Sequence, residues 1–198
     1  MDTRKKILES ARREFAQHGL AGARVDRIAR LARVNKAMIY YHFHSKDKLY
    51  GAVIDYHFAR LGNYMYDLAS KKLAIDELFL EMARMYSEMV EKNREFGPIF
   101  LREIASGGRR IQEALKRATA ERGLTTTLIN MMEKGIRDGS VRKIDCRQAI
   151  ISFIGMNLFY FIMAPVINSI WGIEDSRKFR RERPPAVVDL FLHGIKEK

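Results

Sequence analysis

A chain of 198 residues that is 47% hydrophobic can bury a sizeable core, and a single cysteine, Cys146, excludes an internal disulfide. The formal net charge of +12 points to a polyanionic partner and away from a cationic one. The start MDTRKKILES lacks an apolar stretch, so no secretory signal is expected and a reducing cytoplasm is the simplest address.

The charge is unevenly placed. Residues 1–48 hold 12 Lys and Arg against 5 acids, so about a quarter of the chain carries more than half of the excess. Within this head, Val25, Ile28, Ala29 and Ala32 fall at i, i+3, i+4 and i+7, the spacing of one buried helix face. Arg24, Asp26, Arg27 and Arg30 are left for water or phosphate. Asn35 has a side-chain oxygen suited to start a second, short helix, in which Ile39 and Phe43 point inward and Lys36, Ala37, Met38, Tyr40, Tyr41 and His42 cover the remainder. Ser45 is placed to cap a third helix that opens at Lys46, Asp47 and Lys48 and presents free amides to a phosphate. Two linked helices with outward basic and aromatic side chains predict a helix-turn-helix that meets a phosphate backbone.

These residues resemble the DNA-binding domain of the tetracycline-repressor (TetR) family. The family pattern has an amphipathic first helix, a glycine turn, an Ile-Ala-x-x-Ala helix and a recognition helix followed by Phe-x-Ser-Lys-x-x-Leu. Here those elements are Ile7 to Phe15, Gly19, Ile28-Ala29-Arg30-Leu31-Ala32, and the run from Tyr40 to Leu49. The resemblance implies that Lys36, Ala37, Met38, Tyr41 and His42 face the major groove, that Tyr40 and Lys46 grip phosphates, and that Arg24 lies near the backbone. Two positions depart from the pattern. Arg24 stands where the family has threonine or serine, and Arg33 where it has glycine, so Arg33 is expected to adopt a positive φ at a cost on the order of 1 kcal/mol.

Beyond the head the chain reads as helices throughout. Leu49, Val53, Tyr56 and Arg60 extend the helix begun at Lys46 toward Leu68, and Ile75 through Val90 keep helical spacing. Gly97-Pro98 interrupts, Ile99 to Ala105 forms a short helix ended by Gly107-Gly108, and Ile111 through Ile136 mark one more, closed by Asp138-Gly139. The fold expected is all-α, with about nine helices: a three-helix head over 1–48 and a helical ligand-binding and dimerisation domain over 49–198.

Ala149 to Ile173 runs 25 residues without a charge, long enough to span a bilayer. Basic residues flank it on both sides, so no orientation emerges. A membrane-anchored DNA-binding protein is therefore the alternative to a soluble one. Asn157, Asn168 and Pro165 weigh against lipid, and a helix apolar all round is equally at home between protein surfaces. The resemblance implies that the last two helices pair with their copies in a homodimer, the second of them following Pro184-Pro185. Phe153, Phe161, Val166, Ile170, Val188, Phe191 and Leu192 are the interface residues so expected. Two-fold symmetry would then set two heads on a palindromic operator of double-stranded DNA.

The resemblance also implies a cavity in the body for a small-molecule inducer. Tyr64, Met82, Met85, Tyr86, Phe100, Met132, Asn157 and Tyr160 combine adaptable apolar side chains with polar handles and suit an apolar or aromatic ligand. Each is also an ordinary core residue type. A helical enzyme using that cavity is a further alternative, but there is no Gly-rich phosphate loop, no Gly-x-Ser-x-Gly, no His-Glu-x-x-His and no Cys/His ligand spacing. No cofactor and no metal are expected.

Overall fold

The computed structural model describes residues 2–71, 73–92 and 95–195. All ten of its elements among the described residues are helices. Helix α1 (Thr3–Gly22) opens at Asp2, whose carboxylate accepts from the Arg4 N–H, and places Ile7, Ala11 and Phe15 in the core at successive i+4 positions. Gly19 breaks it from within at φ 63°, ψ −179°. Only glycine reaches that conformation readily, and a Cβ there would also stand 3.4 Å from the Arg102 side chain.

Helix α2 (Val25–Ala32) buries Val25, Ile28, Ala29 and Ala32, the face read from the spacing. It ends at Arg33, which takes the left-handed conformation at φ 55°, and the following Val34 N–H closes the end on the Ala29 carbonyl at 3.0 Å. Arg33 thus occupies a glycine's conformation. Arg33→Gly is expected to raise stability by on the order of 1 kcal/mol, read as a higher denaturant midpoint at unchanged slope. Asn35 caps α3 (Lys36–Phe43) by accepting from the Ala37 N–H at 3.0 Å, and Ser45 caps α4 (Lys46–Ser70) by accepting from the Lys48 N–H at 3.0 Å.

The remaining helices are α5 (Ile75–Lys92), α6 (Phe96–Ala105), α7 (Arg109–Arg122), α8 (Leu124–Arg137), α9 (Cys146–Ile170) and α10 (Ser176–Ile195). The expected count of about nine becomes ten because the single helix read through Ile111 to Ile136 is two. Gly123 sits at φ 62° and its N–H closes α7 on the Thr119 carbonyl at 2.8 Å, while apolar periodicity resumes immediately in α8. The last helix also begins earlier than expected. Asp175 caps it through the Arg177 and Lys178 N–H groups, and Pro184-Pro185 lies inside the helix rather than before it. The two prolines leave the Arg180 and Arg181 carbonyls without helical donors, a cost that falls on an exposed or half-buried turn.

The chain forms two compact units, with boundaries inside α4, between α5 and α6, and at the α7–α8 junction. The first, residues 2–64 and 95–124, packs α1 against α2 and α6, α2 against α3, and α6 against α7. Its core holds Ile7, Phe15, Ile28, Ile39, Leu49, Ile54 and Ile99, all at most 1% exposed, with Tyr50 edge-on to Phe15 at 4.9 Å. The second, residues 65–92 and 125–195, packs α5, α9 and α10 around three aromatic rings: Phe79, Phe153 and Phe191 stand 4.8–5.0 Å apart in tilted and edge-on contacts.

That triad draws part of the expected interface set into the chain's own core. Phe153, Val188, Phe191 and Leu192 are buried within the chain's own second unit, and Phe161 is half-buried, so only Val166 and Ile170 of the seven present substantial apolar surface. The exposed stripe of α9 is instead Ile151, Phe159, Ile162, Val166 and Ile170, recurring at helical spacing on the side opposite Phe153, Asn157 and Tyr160. An apolar period marks two faces alike, and only the packing partners decide which is inside.

Candidate nucleic-acid interface

Ile39 and Phe43 fix α3 into the first unit by burial, and the intervening register turns Lys36, Ala37, Met38, Tyr40 and Tyr41 outward. Tyr41 is 75% exposed, far beyond what a core tyrosine shows. His42 is half-buried and its Nε2 has no hydrogen-bond partner, with its ring edge-on to Tyr41 at 5.1 Å. Arg4 lies over the Phe43 ring at 5.2 Å and brings α1 to the end of α3.

Arg24, at the start of α2, is exposed and makes no capping bond with its side chain. The missing neutral cap is supplied from a distance. Glu14 of α1, 3% exposed, accepts from the Arg24 N–H at 2.9 Å and from Arg27 Nε at 2.8 Å, and His18 lies 3.8 Å from the same carboxylate. One buried carboxylate thereby ties α1 to both the N-cap N–H and the first turn of α2, setting the angle between the two helices. The signal was an acid three residues after Ala11 on an otherwise apolar face.

Arg102 of α6 makes a second tie. Its guanidinium donates to the Phe15, Ala16 and Gln17 carbonyls, at 3.2, 2.6 and 3.5 Å, where α1 runs into the Gly19 break. Arg110 of α7 joins the buried Glu103 of α6 to Asp47 in the first turn of α4. Neither Arg102 nor Arg110 announces itself in the sequence, because their partners in α1 and α4 are 63 to 87 positions away.

Lys46 is half-buried, and its ammonium donates to the Ala21 and Ala23 carbonyls at 3.3 and 3.2 Å. Lys36 is paired with Asp26 at 2.8 Å. Of the eight residues expected at DNA, then, five stand outward on α3, Arg24 is exposed beside them, His42 is partly covered, and Lys46 is engaged at the α1–α2 turn.

His57 of α4 is buried and stacked on Phe96 at 4.0 Å, with Nε2 lacking a hydrogen-bond partner. Burial first, and the Arg12 and Arg60 charges second, push its pKa down from 6.5 to about 3. Because the folded value lies below the unfolded one, its contribution is intact above pH 6.5 and is lost as pH falls toward 3. From this group alone, stability at pH 5 should be about 2 kcal/mol lower than at pH 7. Denaturant midpoints at the two pH values, with His57→Phe flattening the difference, check it.

The expected ligand residues are divided between the two units. Tyr64 and Phe100 lie in the first unit and Met82, Met85, Tyr86, Met132, Asn157 and Tyr160 in the second. Apart from half-buried Met85, those of the second unit are at most 3% exposed. Asn157 donates to the Phe153 carbonyl at 2.8 Å and the Tyr160 hydroxyl to Asn168 at 3.0 Å, so both polar handles are already used. Burial pushes the Tyr86 phenol pKa well up. The second unit does hold a cleft of about 610 Å3, lined by Leu73, Ile75, Leu78 and Met131 with Lys71 and Lys134.

Residues 7–53 match the family model for bacterial regulatory proteins of the tetR family. The head, residues 7–53, is thus a DNA-binding domain of the TetR type. The chain is 49% identical over 53 residues to the transcriptional repressor SCO4008 of Streptomyces coelicolor, a match covering 27% of the chain and 28% of that repressor. It is 24% identical over 201 residues to the repressor NicS of Pseudomonas putida, covering 98% and 92% of the two chains. Among solved structures it resembles FadR from Bacillus subtilis in complex with stearoyl-CoA, with TM-score 0.77, 17% identity and coverage of 96% and 98%.

Proposed function

We propose that the chain is a homodimeric TetR-family repressor that binds a palindromic operator through residues 1–48 and is released by a small apolar or aromatic inducer held in residues 49–198. The outward display of Lys36, Ala37, Met38, Tyr40 and Tyr41 on a helix anchored by Ile39 and Phe43 carries the reading. Such a helix fits the major groove and puts hydrogen-bonding and apolar groups at base edges. Arg24 and the helix start at Lys46 supply the backbone contacts, and His42 supports Tyr41. Lys46 contributes there by fixing the α1–α2 turn as much as by its charge.

Binding to selected oligonucleotides tests this. Tyr41→Ala and Lys36→Ala are expected to relax sequence preference at particular base pairs, whereas equal loss on every sequence would contradict base reading by α3.

The exposed stripe of α9, with Leu190 of α10, is the proposed dimer face. A single helix of this chain, Cys146–Ile170, is long and apolar enough to cross a membrane among the described residues. Its inner face is occupied by Phe153, Asn157 and Tyr160 within the second unit, which favours a protein partner over lipid for the outer one. A cytoplasmic location beside DNA follows from that reading. Relatives named as repressors support repression, and the likeness to an acyl-CoA-bound FadR supports an inducer with a long apolar part. Inducer and operator would oppose each other by linkage. Operator affinity unchanged on saturation with a bound acyl ligand would remove the switch.

A further inference from the structure

Helices α3 and α4 are joined by His44 and Ser45 alone, and both residues are spent on the junction. The His44 N–H closes α3 on the Tyr40 carbonyl at 2.8 Å, while the Ser45 carbonyl and Oγ accept the Leu49 and Lys48 N–H groups at 3.0 Å each. A linker with no slack passes the direction of the first turn of α4 straight to α3. Lys46 ties that turn to the Ala21 and Ala23 carbonyls, but one tie leaves a pivot. The second tie is Arg110 of α7, whose Nη2 donates to Asp47 Oδ1 at 2.5 Å. Its Nη1 lies 3.4 Å from Oε2 of Glu103, and the Glu103 carboxylate also accepts the Arg110 N–H at 3.1 Å. Glu103 is 3% exposed and the guanidinium lies over the buried Tyr50 ring at 5.5 Å, so the cation is fixed independently of Asp47.

We propose that Arg110 is a positioning residue for DNA recognition: acting through Asp47, it holds the first turn of α4 and thereby the direction in which α3 presents Lys36, Met38 and Tyr41. By itself Asp47 is a misplaced charge, an acid in a helix start read as facing phosphate. Hydrogen bonds to base edges are lost when the reading helix turns by a small angle, whereas attraction to a phosphate backbone tolerates the change. The pair therefore supports binding to a preferred sequence and adds nothing to binding of an unrelated one. The DNA-binding module then extends past residue 48 to include α6 and α7, which carry Glu103 and Arg110. The proposal rests on the reading of α3 as the base-reading helix, and its test separates the two.

A duplex selected from random sequence and an unrelated duplex of equal length are titrated with full-length protein well below its unfolding midpoint. Asp47→Ala touches only the end of the pair that is 60% exposed, so its thermal midpoint should stay close to that of wild type. By charge alone this change would tighten both duplexes alike. The expected result differs in sign for one of them: binding to the selected duplex weakens about 10-fold, the scale of one base contact, while binding to the unrelated duplex holds or tightens. Arg110→Met should lower the ratio of the two affinities by a similar factor, and the double variant no further than either single one, because both remove the same tie. Equal tightening on both duplexes in Asp47→Ala would overturn the proposal by showing that Asp47 acts only through its charge. An unchanged ratio in that variant, or losses that multiply in the double variant, would overturn it too. Should wild-type protein prefer no selected duplex, the base-reading role of α3 falls first and the proposal with it. Arg110→Met also leaves the buried Glu103 carboxylate without its guanidinium, and if that variant unfolds, Asp47→Ala alone decides.

Discussion

Replacing Glu14 by alanine is expected to cost the first unit roughly 2–4 kcal/mol and to lower its melting temperature by roughly 5–15 °C. The carboxylate is buried and takes two hydrogen bonds, from the Arg24 N–H and Arg27 Nε. Its removal leaves the opening N–H of α2 without an acceptor and strands a half-buried guanidinium beside the Gly22 carbonyl, its remaining partner. Glu14→Gln keeps the acceptor for Arg24 but not the charge opposite Arg27, so an intermediate loss is expected. Thermal denaturation followed by circular dichroism checks the order wild type, glutamine, alanine. Because Glu14 sets the α1–α2 angle, operator affinity at a temperature where the variant is folded should fall as well. A variant as stable as wild type would mean that solvent takes over both bonds, which the 3% exposure opposes.

A glutamate in place of Phe159 is the second large effect. The ring is 59% exposed in the single chain and sits near the middle of the stripe from Ile151 to Ile170. If that stripe is the two-fold face, each interface receives two charges close to the symmetry axis with no counter-ion, and dimerisation should weaken about 100-fold or more. The monomer should remain folded, because the change touches neither Phe153 nor its partners Phe79 and Phe191. Light scattering across a concentration series would show the shift to monomer, and operator affinity would fall with it, since two joined heads bind a palindrome as one unit. Tyr66→Glu, at another exposed aromatic, is the control expected to leave both unchanged. An unaltered dimer in Phe159→Glu would move the proposed interface to another face.

The head was legible because its determinants are local. Asn35 and Ser45 cap within three residues of themselves, Val25 to Ala32 bury a face written in i+3 and i+4 steps, and Arg33 falls where a three-residue turn demands a positive φ whatever occupies it. Gly123 was equally local, yet apolar spacing on both sides of it reads as one continuous helix. The prolines of α10 misled for the opposite reason: a rule about intrinsic cost lost to packing of Val187, Val188 and Phe191, which holds the helix through them.

By itself, then, the sequence determined an all-helical chain with a basic helix-turn-helix at its start, since period, caps and charge act between neighbours. Tertiary structure alone decided that Glu14 and Arg102 brace α1, that Lys46 turns to the Ala21 and Ala23 carbonyls, and that Phe153 is inside while Phe159 is out. Each of those outcomes depends on which distant segment comes to lie alongside. An apolar helix such as α9 carries no polar face to say which way it turns, so its direction is set only when Phe79 and Phe191 arrive against one side of it.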